Sequence, residues 1–197
     1  MAIFYHGSPA LFNAFDLSHV LEGDGKVKFG FGVYFSSVYR SAAHYSAAGM
    51  QVFEGYVYTV EIPDFHADNH IDFKQPVHPA ILERAVRVLA AKGYPSDIPE
   101  SITADGKLFR KHLVKLFSGK IDLAGEKAAS EFLDGIGVDY ACWPYNWKNP
   151  SLGTNCAVFN TDKISIVRVD HVRLDERQQL IPGSEMQVDL PGQSLSP

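Results

Sequence analysis

Apolar and polar positions along the chain change period twice. Ala2 to Tyr5 is a short apolar run that stops at His6-Gly7, the pattern of a buried strand. Ser8 to Lys28 carries Pro9, Gly23, Asp24 and Gly25 and reads as loop or short helical turns. Gly32 to Ser36 is a second short strand, and Ser37 to Ala48 has alanines and aromatics at helical spacing, with a breaker at Gly49. Gln51 to Ile62 alternates through Val52, Tyr56, Tyr58, Val60 and Ile62, a strand closed by Pro63-Asp64.

The middle takes a helical period. Pro79 to Lys92 puts Ile81, Leu82, Ala85, Val86, Leu89 and Ala90 on one face, and Gly93 follows as a stop. Asp105 to Phe117 repeats the pattern with Leu108, Phe109, Leu113 and Leu116, and Leu123 to Ile136 repeats it again before Gly137. Strands return at Asp139 to Trp143, Cys156 to Phe159 and Ile164 to Val169, the first two separated by a loop rich in Pro, Asn and Trp. Strands at both ends with helices between them predict an α+β fold. One domain spans 1–177, with a helical segment at about 79–137, and 178–197 reads as a mobile tail with Pro182, Gly183, Pro191, Gly192 and Pro197.

Composition narrows the class. A chain of 197 residues, 46% hydrophobic and 21% charged, fits one globular domain and excludes disorder. No apolar run reaches bilayer length, and Met1 to Tyr5 shows neither a basic region nor a leader-like stretch, so a cytoplasmic protein is expected. The net charge of −5 argues against non-specific adhesion to nucleic acid or acidic membranes. Lys107, Arg110, Lys111, His112 and Lys115 form a local basic cluster that reads as a solvated helix face. Cys142 and Cys156 lack metal-ligand spacing and read as buried thiols, a disulfide being the alternative.

Three short motifs carry the chemistry: His6-Gly7-Ser8, Phe29-Gly30-Phe31-Gly32-Val33-Tyr34-Phe35, and Asn155-Cys156-Ala157-Val158-Phe159-Asn160. An imidazole at a strand end can bond a sugar hydroxyl, and Gly7 permits close backbone approach. Tyr34 and Tyr45 stand eleven residues apart, so that a strand end and the next helix can turn two rings toward one cleft and a flat heteroaromatic ring. A satisfied histidine beside a turn glycine, and core tyrosines, are the bland counterparts. Gly30-Phe31-Gly32 lacks the strand-to-helix context of a dinucleotide loop.

In this order the motifs resemble the three strand motifs of the diphtheria-toxin-type ADP-ribosyltransferases, in the poly-ADP-ribosyltransferase-like branch, including the Tyr34–Tyr45 separation. Leu11 to Asp16, Tyr56 to Pro63, and Lys127 to Leu133 with Gly135-Ile136-Gly137 are similar to domains of prophage and mobile-element polyvalent proteins. The resemblance implies a split antiparallel β-sheet with a helical insertion, NAD as co-substrate and no metal. It assigns catalysis to His6, Tyr34 and Asn155, and NAD binding to His6, Gly7, Ser8, Gly32, Tyr34, Phe35 and Tyr45. Cleaving the nicotinamide–ribose bond leaves an oxocarbenium-like ribose that such a site must steady.

The resemblance also places a substrate-recognition loop at Pro144 to Thr154, where Trp143, Tyr145, Trp147 and Lys148 are acceptor candidates. Aromatics beside a cation can stack on a base; anchoring of the loop is the alternative. The acceptor is thus a protein side chain or a nucleobase of a host macromolecule. The implied setting is a toxin, a phage-borne host-modifier or an anti-phage effector in a bacterial cytoplasm, with a cognate antitoxin as a further partner and no membrane role. One departure stands out. Many relatives carry Glu where this chain has Asn155, and an amide accepts a hydrogen bond but brings no charge. That favours single ADP-ribose transfer over chain elongation, and keeps a catalytically weak NAD-binding module and an NAD glycohydrolase as alternatives. Asp139, nearby, reads as a surface turn carboxylate.

Overall fold

A computed structural model describes residues 1–20, 27–47 and 52–190. Its strands are β1 (Ala2–Ser8), β2 (Val33–Ser36), β3 (Glu54–Ile62), β4 (His70–Asp72), β5 (Tyr140–Pro144), β6 (Thr154–Val158), β7 (Ser165–Arg173) and β8 (Met186–Val188). They form one sheet in the order β4-β5-β6-β2-β1-β3-β7-β8. The helices are α1 (Tyr39–Tyr45), α2 (Pro79–Ala91), α3 (Glu100–Thr103), α4 (Gly106–Ser118) and α5 (Leu123–Gly135). The class is α+β, as the change of period predicts.

The sheet is mixed and not wholly antiparallel, which corrects the expectation. β4 runs parallel to β5, with His70 opposite Tyr140. The cause is connectivity: α2 to α5 lie between these strands in the chain, and a helical crossover returns the chain in the same direction. The tail also differs from expectation. Met186–Val188 adds β8 to the outer edge of β7, with Val169 opposite Val188, and Leu180 bridges to Leu174. Covering β7 satisfies backbone groups that an open edge would leave exposed. Residues 191–197 of the expected mobile tail lie outside the described residues.

The helices start where the sequence offers caps. Asp105 accepts a hydrogen bond from the Leu108 amide at 2.7 Å, and Asp122 from the Gly125 amide at 2.8 Å, each filling an otherwise orphaned donor. α2 opens on Pro79, whose fixed φ suits a first helical residue, and buries Ile81, Ala85 and Leu89. α1 begins at Tyr39, two residues later than Ser37 of the expected helix, because Val38 is still extended; the expected end at Ala48 lies outside the described residues.

Adjacent strand residues alternate between two covered faces. Phe4, Val33, Phe35, Tyr58, Cys142, Cys156 and Val158 share one apolar layer, roofed by Leu11, Phe12, Phe15 and Leu17. On the other face, residues of α2, α4 and α5 cover Ala141, Trp143 and Ala157, with Tyr34 packed against them. Also on that face, α1 supplies Ala42 and Ala43 over Val57. Burial of a side chain such as Phe109 or Leu113 stabilises the fold by about 1.5–3 kcal/mol.

Two charged residues fall elsewhere than expected. Arg110, read as part of a solvated basic face, is only 1% exposed and is paired to Glu126 of α5. Its Nη2 also donates to the Lys28 carbonyl at 3.3 Å, so it ties the helical segment to the chain entering β2. Asp139 is not a free surface carboxylate: it pairs with Lys163 at 2.7 Å and accepts from Asn69 at 2.8 Å.

Candidate functional site

The three motifs lie on neighbouring strands. Tyr5 of β1 stands opposite Ser36 of β2, and Ser36 stands opposite Asn155 of β6. β1 is paired to β3 along its whole length, from Ala2 opposite Ile62 to Ser8 opposite Tyr56. Toward β2 its register ends at the single Tyr5–Ser36 pair, so the two halves of the sheet part just where His6-Gly7-Ser8 begins.

His6 bridges the parting. Its Nδ1 donates to the Tyr34 carbonyl at 2.8 Å, a backbone acceptor that a continued ladder would have given to β1. A carbonyl only accepts, so the proton sits on Nδ1 and Nε2 is left as an acceptor in the neutral ring. Burial lowers the His6 pKa below its usual value, partly opposed by the bond to Tyr34, so the ring is neutral at pH 7. The rings of Phe12, Phe15, Phe35 and Tyr58 surround it at centroid distances of 5.2–6.4 Å. Tyr58 holds this wall in place: its hydroxyl accepts from the Phe12 amide at 2.6 Å and donates to the Ala10 carbonyl at 3.1 Å.

Continuing the Tyr5–Ser36 register would set Gly7 opposite Tyr34, which turns the Gly7 amide and carbonyl toward the gap. On its other side Gly7 is covered by α1, and a Cβ there would overlap the Ala42 carbonyl. Gly32 has a separate reason: a Cβ would lie 2.5 Å from the Val158 carbonyl oxygen, so β6 demands this glycine. Ser8 is buried and its hydroxyl accepts from the Ala10 amide at 3.1 Å. Phe35 is a core residue on the His6 face.

Asn155 stands on β6 opposite Ser36, level with the paired Tyr5 and one strand away from the parted β1–β2 junction. Its Oδ1 is buried and has no hydrogen-bond partner. A buried orphan acceptor costs about 1–3 kcal/mol, and Arg84 Nε, Arg110 Nε and Ser130 Oγ are buried without a partner in the same way. Asn155 shares the Tyr34 face, since residues two apart on a strand point the same way and Tyr34 stands opposite Ala157.

The two tyrosines do not form a closed sandwich. The Tyr34 ring is held edge-on by Phe29 at 6.4 Å and Trp143 at 5.4 Å. Its hydroxyl accepts from the Phe29 amide at 3.1 Å and donates to the Gly30 carbonyl at 3.0 Å, and burial raises its pKa. Tyr34 thus braces the turn before β2. Tyr45 ends α1 with its ring 60% exposed, edge-on to His44. His6 and Tyr34 also leave opposite faces of the sheet and meet only through the Tyr34 backbone.

Of the acceptor candidates, Trp143 moves to the core. It is 6% exposed, and Phe29 stacks on it at 4.0 Å and 7°. Trp147 is 48% exposed with Lys74 5.2 Å over its ring, and Tyr145 and Lys148 are exposed beside it. Asn146 stiffens this turn by accepting from the Lys148 amide at 2.9 Å. A hollow of about 300 Å³, lined by Asn13, Phe15, Asp162, Ile164 and Leu190 among others, adjoins the His6 aromatic wall through Phe15. Among the described residues no group of three or more His, Cys, Asp or Glu could hold a metal, and no helix is long and apolar enough to cross a membrane.

Residues that the sequence did not single out complete the site: Ser36 between Tyr5 and Asn155, Ala42 against Gly7, and the Phe12–Tyr58 stack at 4.2 Å behind His6. A small residue in the helix after the second motif was the available signal for Ala42; nothing local marks Ser36. Comparison with protein-family models, with curated proteins and with solved structures gave no match.

Proposed function

We propose that this chain is an NAD-dependent mono-ADP-ribosyltransferase that modifies a host macromolecule and releases nicotinamide. The observation that carries the reading is the parted β1–β2 junction at His6-Gly7, with the unpartnered Asn155 Oδ1 one strand away on β6. An orphan acceptor near such a junction suits a ribose hydroxyl. The Gly7 backbone would take the nicotinamide carboxamide, Tyr45 would stack on the ring, and the Nε2 of His6 would accept from the nicotinamide ribose through the parted junction, from the sheet face opposite Asn155. Tyr34 supports the site by bracing the turn at Phe29-Gly30, its ring being used in the core.

The chemistry asked of these groups is modest. Nicotinamide leaves as a neutral molecule, and the oxocarbenium-like ribose is steadied by oriented dipoles, among them the Asn155 amide. Mechanistically this favours a single transfer to an acceptor docked near Tyr145, Trp147 and Lys148. The setting consistent with the motifs is a toxin, phage host-modifier or anti-phage effector acting in a bacterial cytoplasm, with a cognate antitoxin as a further partner. A second reading, NAD binding with little or no turnover, is favoured by one feature: Asn155 supplies no negative charge where a carboxylate would steady the cation.

Both readings are separated by two measurements on the purified protein, calorimetric titration with NAD and nicotinamide release. Incubation of a bacterial lysate with labelled NAD, followed by separate protease and nuclease digestion, assigns the acceptor. Absence of NAD affinity overturns both readings, and affinity without release leaves the binding module.

A further inference from the structure

Cys142 and Cys156 stand opposite each other in the antiparallel pair β5–β6, in the same apolar layer, and both are free thiols. The phase of the ladder is fixed by bonds just beyond its ends. The Phe159 amide donates to the Asp139 carbonyl at 3.0 Å, and the Tyr145 amide donates to the Gly153 carbonyl at 2.9 Å. Hydrogen-bonded pairs recur every second residue, so Ala141–Ala157 and Trp143–Asn155 are hydrogen-bonded pairs and Cys142–Cys156 is a non-hydrogen-bonded one. In such pairs the Cα atoms approach to about 4.5 Å with side chains on the same face. That separation lies within the range of about 4.4–6.8 Å that a disulfide accepts.

We propose that Cys142 and Cys156 are a redox modification site, a reversible cross-strand dithiol whose oxidation shifts the adjoining Asn155. With hydrogen peroxide as oxidant, one thiol is oxidised to a sulfenic acid as peroxide is reduced to water. The second thiol then displaces hydroxide from that sulfur, and its proton completes a second water. The sum is two thiols and one peroxide giving one disulfide and two waters. Both thiols are buried, and burial pushes both pKa values up, so the reaction waits on local opening and on a small thiolate fraction. The pair responds to sustained oxidation and not to a brief pulse.

The consequence follows from neighbours. Asn155 precedes Cys156 and Trp143 follows Cys142, and these two residues are themselves paired. A disulfide draws Cβ atoms to about 3.8 Å, from about 4.5–5.5 Å in an ordinary cross-strand pair. That contraction, immediately beside Asn155, is comparable with misplacements that slow enzymes strongly.

This functional half rests on the proposed NAD reading, and the test keeps the two apart. The whole chain is held in excess hydrogen peroxide for hours, then quenched and denatured with iodoacetamide present. Intact mass, the linked Cys142–Cys156 peptide, NAD affinity and nicotinamide release are read before and after dithiothreitol. The expected result is a loss of about 2 Da, a linked peptide, and about tenfold slower release that dithiothreitol restores. Cys142→Ala and Cys156→Ala should each fold, keep basal release and lose the reversible response. Failure to form the linked peptide, or separate sulfinic acids in its place, overturns the modification site. A linked peptide with unchanged NAD affinity and release overturns the coupling to Asn155. A linked peptide in a protein that binds no NAD in either state overturns the NAD reading and leaves the redox pair standing.

Discussion

Asn155→Ala should act in opposite directions on stability and activity. In the unliganded protein the Asn155 Oδ1 is buried without a partner. An unsatisfied buried acceptor costs about 1–3 kcal/mol, and deleting it recovers much of that, less the packing of the lost amide. The variant should therefore melt at the wild-type temperature or above it. A gain of 1 kcal/mol corresponds to about 2–4 °C in a chain of this size. On the proposed reading, with NAD bound the same deletion would remove a hydrogen bond to ribose that strengthens as positive charge develops. Nicotinamide release should fall at least about tenfold, equivalent to about 1.4 kcal/mol, with a smaller loss of NAD affinity. Thermal melts without NAD, calorimetry with NAD and a release assay on the same preparation supply the numbers. A variant that melts several degrees lower and releases nicotinamide at the wild-type rate would refute the reasoning, because Asn155 would then be structural.

Four further outcomes concern His6, Tyr34 and Gly7. His6→Ala should weaken NAD affinity and turnover together, and wild-type affinity in calorimetry would remove His6 from the ribose contact. The His6 pKa is lowered in the fold from 6.5, so the unfolded chain binds its proton first: its contribution to stability is present above about pH 6.5 and is lost as pH falls toward the folded pKa. Urea titrations between pH 5 and 8 should show that acid loss in wild type and a smaller one in His6→Gln. Tyr34→Phe, which removes the hydroxyl from the Phe29 amide and Gly30 carbonyl, should cost about 1–3 kcal/mol by urea titration, and a neutral result would show that the brace is dispensable. Gly7→Ala should lower the melting temperature sharply, since its Cβ overlaps the Ala42 carbonyl; overpacking of this kind costs about 1–3 kcal/mol or more, and a normal melt would mean that α1 can move away.

The elements with one clean period were legible from the sequence. α2 and α5 begin at the expected residues, and α4 begins one residue after the expected Asp105, which serves as its cap, because apolar spacing and the caps at Asp105 and Asp122 agree. β3 was legible from its alternation, although it starts at Glu54 and not at Gln51, which lies outside the described residues. β4 and β8 were not, because three residues are too few to show a period and their pairing is decided by partners distant in sequence. Arg110 misled for a related reason. Arg110 stands beside the Lys107, Lys111 and Lys115 face of its helix in the helical period, and only Glu126, sixteen residues later on another helix, makes its burial tolerable.

The site was legible as an order of motifs and illegible as a geometry. His6, Tyr34 and Asn155 do arrive on neighbouring strands, but spacing along the chain cannot say which face a side chain leaves by. Tyr34 and Phe35 were both assigned to the ligand; alternation sends one to each layer, and the hydroxyl of Tyr34 is spent within two residues of Gly30. In the sequence Trp143 reads as the end of a strand and also as an acceptor candidate beside the loop at Pro144; its position in β5 turns it onto Phe29.

His6 joins the two levels. A continued β1–β2 ladder would give the Tyr34 carbonyl a backbone partner, and no gap would exist. With the imidazole in that place the strands can part beyond Tyr5 without leaving Tyr34's carbonyl orphaned. The same bond fixes the tautomer, so the atom left over in the neutral ring is an acceptor and not a donor. On the proposed reading the structural and ligand-binding roles of His6 are one arrangement. A replacement that keeps a donor but lacks the Nε2 acceptor should hold the gap open and still weaken ribose binding. His6→Asn, whose amide nitrogen can reach toward the carbonyl, tests this against His6→Ala. Equal melting temperatures for wild type and His6→Asn, with the NAD affinity of His6→Asn as weak as that of His6→Ala, are the expected pair of results. Wild-type affinity in His6→Asn would show that the histidine serves the sheet alone.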